Sequence, residues 1–98
     1  MIWHLVMWRV KGEGEEKRRN MEEIVKMLRQ LKEVIPEVKV LHTGVNFSTS
    51  SSAFDVGLIT GFSSNVDLEN YKIHPVHLKI VERIRKLTLK AIVVDFED

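Results

Sequence analysis

The stretch NYKIHPVHLKIVERI, residues 70–84, sets Tyr71, His74 and His77 at intervals of three, with Pro75 between the histidines. The chain has four histidines in all, and another of them, His4, stands in the opening run MIWHLVMWRV. These residue types suit proton chemistry. An imidazole titrates near neutrality and can take a proton from a carbon next to a carbonyl. A tyrosine hydroxyl can donate a hydrogen bond to the enolate oxygen that develops. A base and a donor together serve proton transfer, and neither role needs a metal or an organic cofactor.

Other chemistries fit less well. His74 and His77 have the i,i+3 spacing that can hold an ion on a helix, but Pro75 disturbs it and no carboxylate stands on the same stripe. A transition-metal site needs three or four ligands with support behind them, so no metal is expected. The serines near 48–52 form a polar tract rather than a strained nucleophile elbow. The GEG at 12–14 lacks the extension of a phosphate-binding loop. With no cysteine, disulfides, thiol catalysis and cysteine-based zinc sites are excluded.

The elements that must position these residues follow from periodicity. Residues 2–10 are rich in β-branched and aromatic types and read as a strand. Ile2, His4, Val6, Trp8 and Val10 share one face, and Trp3, Leu5, Met7 and Arg9 share the other. From about Glu15 to Ile35, Met21, Ile24, Val25, Leu28, Leu31 and Ile35 recur at helical spacing, and Pro36 ends the helix. Strands are expected at 38–47 and 54–62, joined by the serine-rich loop. Gly57 and Gly61 mark a bulge or a close approach of another group. SNVDLENY reads as a short helix with Ser64 and Asp67 at capping-box spacing. Pro75 suits the first turn of the next helix, whose stripe is Ile80, Val81, Ile84 and Leu87. AIVVDFE closes the chain as a strand. The order β-α-β-β-α-β is the ferredoxin-like α+β pattern, read as a single domain over 1–98.

His77 falls on the apolar stripe of its helix. It is therefore either a core histidine with a satisfied hydrogen bond or a lining residue of an internal pocket. His74 is expected at the helix start. His42 has no obvious partner and reads as surface. The net charge of +1, with interspersed signs, leaves no footprint for nucleic acid or an anionic membrane. No run approaches the roughly 20 apolar residues of a membrane span, and the apolar start lacks the features of a signal peptide. The expectation is a soluble cytoplasmic protein.

Taken together, the His4 strand, the long helix ending in VIPEV, the hairpin strand FDVGLITGF, the segment LENYKIHPVHLKIVERI and the closing VVDFE resemble the stress-responsive α/β-barrel (Dabb) family. The resemblance spans the whole chain, with HPVH and VVDF as its most specific parts. It implies a homodimer in which two ferredoxin-like sheets face one another with helices outside. The family includes plant stress-induced proteins and olivetolic acid cyclase, a polyketide cyclase. Carried over, the cyclase's active tyrosine and histidine fall on Tyr71 and His77, beside His4. A further pocket histidine of the cyclase is replaced here by Val56, so the scaffold matches better than the chemistry.

Two readings follow. In one, a small apolar or aromatic molecule binds between sheet and helices, and the resemblance implies a cofactor-independent cyclase-like or other lyase activity (an enolisation or an intramolecular aldol-type cyclisation), with His77, Tyr71 and His4 as the catalytic group and Trp8, Phe54, Val56 and His74 as ligand contacts. In the other, the same residues fill the core of a non-catalytic dimer. An open volume of a few hundred Å³ joining His4 to His77 favours the first, and a void-free core favours the second.

Overall fold

The computed structural model describes residues 1–98. The elements are β1 (Ile2–Val10), α1 (Gly14–Val34), β2 (Val40–Val45), β3 (Val56–Phe62), α2 (Asn65–Lys72), α3 (Pro75–Leu87) and β4 (Thr88–Glu97). The strands form one antiparallel sheet in the order β2-β3-β1-β4. This is the ferredoxin-like fold. β1, the strand carrying His4, lies inside the sheet between β3 and β4.

The two faces of β1 meet different surroundings. His4, Val6, Trp8 and Val10 are buried beneath the helices, together with Val56, Leu58, Thr60 and Phe62 of β3. α1 contributes Ile24, Val25, Leu28 and Leu31 to that core, and α3 contributes Ile80, Ile84 and Leu87. The 3.6-residue period of both helices produces this one-sided burial. The opposite sheet face carries Leu5, Met7, Ile59, Ile92, Val94 and Phe96, and no helix covers it. Met7, Ile59, Ile92, Val94 and Phe96 are each more than a third exposed. His42 is exposed on this face as well, paired across strands with Ile59.

Several boundaries differ from the sequence reading. β2 is shorter than expected: Val38 is buried ahead of the strand, and the Asn46 side chain turns to bond Ser48 beyond it. β4 starts at Thr88, three residues before the expected AIVVDFE. α3 runs directly into it, and the Thr88 hydroxyl donates to the Ile84 carbonyl at 2.9 Å to close the last helical turn. The expected irregularity in β3 resolves into one cause. β3 keeps an unbroken register against β1, and a side chain at Gly57 would meet open space. At Gly61 a Cβ would lie 2.9 Å from Trp3 Cζ3, so glycine there makes room for the indole. Gly12, at φ +97°, turns the chain from β1 into α1 in a conformation that favours glycine.

Candidate functional site

α2 ends at Lys72, and after the two residues Ile73 and His74, α3 begins with Pro75 at its first turn. Proline supplies the helical φ without losing a needed N–H. His74 is the N-cap of α3: its Nδ1 accepts from the Val76 backbone N–H at 3.1 Å. The same break frees carbonyls in the last turn of α2. His77 Nδ1 reaches one of them, donating to the Lys72 carbonyl at 3.0 Å. A carbonyl can only accept, so Nδ1 carries the proton and Nε2 keeps its lone pair. Burial holds the His77 pKa below its ordinary value, with smaller downward pushes from His4, His74 and Lys72 and an opposing pull from the Lys72 carbonyl. His77 is therefore a neutral base at neutral pH.

Tyr71, on the last turn of α2, is fully buried. Its ring centroid lies 4.2 Å from that of His77, 5.0 Å from Phe62 and 6.0 Å from His4. Burial pushes the phenol pKa up, so the hydroxyl stays protonated and is a donor.

His4 has a partner that the sequence reading missed. In the sheet register it faces Asp95 of β4, and cross-strand partners point to the same face at close range. His4 Nδ1 donates to Asp95 Oδ1 at 2.5 Å, and Lys72 Nζ reaches Oδ2 at 3.1 Å. Partial burial alone would raise the Asp95 pKa, but the hydrogen bonds and charges of His4 and Lys72 outweigh it and hold the carboxyl below its usual range. The ionised carboxylate keeps the His4 proton on Nδ1, which leaves Nε2 as the accepting nitrogen. The sequence signal for Asp95 was a carboxylate that interrupts the apolar run AIVVDF, two residues beyond its helix-facing neighbour Val93. Lys72 had no such signal.

His4, Tyr71 and His77 converge on one cavity of about 260 Å³ between α3 and the β1–β4 pair. Its walls are otherwise mostly apolar, including Val6, Trp8, Leu58, Ile80 and Val93. The Tyr71 hydroxyl and the Nε2 atoms of His4 and His77 bond to no protein atom. All three belong to residues that line the cavity, which is where they can meet a ligand. At the β4 edge the cavity opens outward, where Val93 is 53% exposed.

Of the expected ligand contacts, Trp8 lines this cavity. The other three lie elsewhere. Phe54 precedes β3, so strand alternation does not extend to it, and its ring lies 4.3 Å beneath the guanidinium of Arg9. Val56 is buried in the core away from the cavity lining. His74 spends its ring nitrogen on capping α3. No cluster of three or more His, Cys, Asp or Glu side chains is arranged to hold a metal ion, and no helix is long and apolar enough to cross a membrane.

Comparison with known proteins places the fold. A search of curated proteins gives no match. Among solved structures, a dimeric ferredoxin-like protein of unknown function from Bacteroides fragilis superposes with a TM-score of 0.88 at 20% identity, over 99% of this chain and 95% of that one. The Arabidopsis thaliana protein At3g17210 superposes with a TM-score of 0.83 at 23% identity, over 100% and 95% of the two chains. The hydroxynitrile lyase of Passiflora edulis gives a TM-score of 0.83 at 19% identity, over 97% and 90%. At these identities the likeness is one of fold. The sequence itself matches the family model for the stress responsive A/B barrel domain, Dabb, over residues 2–98. The chain belongs to the Dabb family of stress responsive A/B barrel domains.

Proposed function

We propose that this protein is a homodimer that binds a small, mostly apolar carbonyl compound in the α3–β1–β4 cavity and transfers protons on it without an organic cofactor. The observation that carries this reading is the convergence of Tyr71, His4 and His77, whose hydroxyl and Nε2 atoms have no protein partner, on a largely apolar space of about 260 Å³. A cavity of ~150 Å³ already admits benzene, so this one has room for an aromatic ring with a side chain. Apolar walls with a few convergent polar groups are the usual make-up of a ligand site.

In this reading, His77 Nε2 takes a proton from the carbon next to the carbonyl. The C–H electron pair becomes the enolate double bond, and the oxygen takes up the charge while accepting from the Tyr71 hydroxyl. The enolate carbon then either regains a proton from His77 or attacks a second carbonyl of the same molecule, whose oxygen receives the proton. His4, held by Asp95, accepts a hydrogen bond from a hydroxyl of the ligand. A lyase among the structures of the same fold is consistent with this site type and does not assign a substrate.

Dimerisation rests on the uncovered sheet face. A contiguous apolar face is larger than monomers usually expose, and two copies meeting face to face bury it with one self-complementary surface. Several proteins of this fold are dimeric.

The test is proton exchange. 4-Phenyl-2-butanone in D₂O is expected to lose its α-protons faster with the parent protein than with His77→Ala or Tyr71→Phe. Equal exchange rates for the three proteins, with the ketone bound, reduce the site to a binding pocket. No binding at all removes the reading.

A further inference from the structure

We propose that Arg85 reads an anionic group at the outer end of the cavity, and that the ligand is an elongated carboxylate with an apolar body and its reactive carbonyl at the far end. This rests on the pocket reading above and names its substrate class. Of the fourteen residues lining the cavity, ten are hydrophobic, and Arg85 is the only lysine, arginine or carboxylate side chain among them.

The placement follows from α3. His77, Val81 and Arg85 succeed one another at helical spacing along the side of α3 that borders the cavity, and Thr88 follows at its C-cap. His77 and Arg85 are eight residues apart, roughly 12 Å along the axis. Between them the walls are Val81, Ile84, Ala91 and Val93. Proton chemistry thus sits at one end, an apolar passage in the middle and a guanidinium at the other end.

The guanidinium is uncommitted. Arg18 is held by Glu15 and Glu22, Arg83 by Glu23, and Arg9 lies over Phe54; Arg19, Arg29 and Arg85 have no such partner, and of these three only Arg85 lines the cavity. Arg85 forms no ion pair or hydrogen bond with the protein, although Glu82 stands one turn before it on α3. A planar guanidinium matches a carboxylate with two parallel hydrogen bonds. The last turn of α3 also presents the partially negative end of a helix. That end tolerates a singly charged carboxylate bound through arginine better than a phosphate dianion.

Three probes of one shape separate the claims: 7-oxooctanoate, its neutral amide 7-oxooctanamide, and 2-octanone, which has the body alone. Binding is measured by calorimetry at low salt to the parent and to Arg85→Gln. Arg85 is exposed, and equal melting temperatures confirm that the variant is folded. The parent is expected to bind the acid about tenfold more tightly than the amide, and Arg85→Gln to bring the acid down to the amide's affinity. If 2-octanone and the amide bind the parent but the acid binds no better, or if the acid's advantage survives in Arg85→Gln, the Arg85 assignment is overturned while the pocket stands. If none of the three binds the parent, the pocket reading fails and Arg85 falls with it.

Discussion

Asp95→Asn isolates the contact that orients His4. The carboxylate accepts from His4 at 2.5 Å and from Lys72 at 3.1 Å, and the amide keeps the shape without the charge. Replacing a charge-assisted hydrogen bond by a neutral one costs about 1 kcal/mol. The Lys72 pair, with both side chains about a third exposed, adds no more than about 0.5 kcal/mol. The total of about 1–1.5 kcal/mol corresponds to a melting temperature lower by roughly 5–10 °C for a chain of this size. The pH dependence has a definite sign. Asp95 has a folded pKa below its ordinary 3.8, so its stabilisation is fully present above that value and is lost as pH falls through the lower folded value. Thermal melts followed by circular dichroism, at one protein concentration and from pH 7 downward, give the difference between parent and variant. It should be constant above about pH 5 and shrink below 3.8. A variant as stable as the parent at pH 7, or a gap that persists undiminished in acid, refutes the reasoning. The asparagine can also donate to His4 Nδ1 and move the ring proton to Nε2, so ligand binding should weaken beyond the stability effect.

Leu5→Glu puts a charge on the uncovered sheet face and should convert a sedimenting dimer to monomer, whereas a dimer that persists at micromolar concentration removes that face as the interface. Gly61→Ala forces its methyl against Trp3, 2.9 Å from Cζ3, and should cost about 1–3 kcal/mol by overpacking, read as a lowered denaturation midpoint. His77 resists protonation in the folded state, so it costs stability as pH falls below its ordinary 6.5. The His77→Gln variant should lose that slope, and an unchanged slope in the melting temperatures means that His77 is not buried as described.

How much of this was legible in the sequence depended on how local each cause was. The two faces of β1 were legible because a period of two leaves little alternative over nine residues. α1 and α3 were legible from their stripes, and the α2 start from Ser64, whose hydroxyl accepts from the Asp67 N–H. Phe54 was misplaced because strand alternation was extended past the point where pairing begins. There the Asp55 backbone N–H instead donates to Trp8, and its side chain takes the Val10 N–H and pairs with Lys17. The His4–Asp95 pair was not legible: it joins residues 91 apart in sequence and depends on the register of β4 against β1. Arg85 carried no signal in the sequence, and only the packing of α3 over β4 brings it to the cavity.

The central claim is that the Nε2 atoms of His4 and His77 stand ready, with the Tyr71 hydroxyl, to meet a ligand. Long-range proton–nitrogen NMR of the ¹⁵N-labelled protein tests it directly, because protonated and lone-pair ring nitrogens resonate far apart. At pH 7.5 His77 should show a protonated Nδ1 and a bare Nε2. Addition of 4-phenyl-2-butanone should shift the ring signals of both His77 and His4 in a saturable way. A His77 ring protonated at Nε2, or ring signals that stay fixed at saturating ketone, contradicts the account.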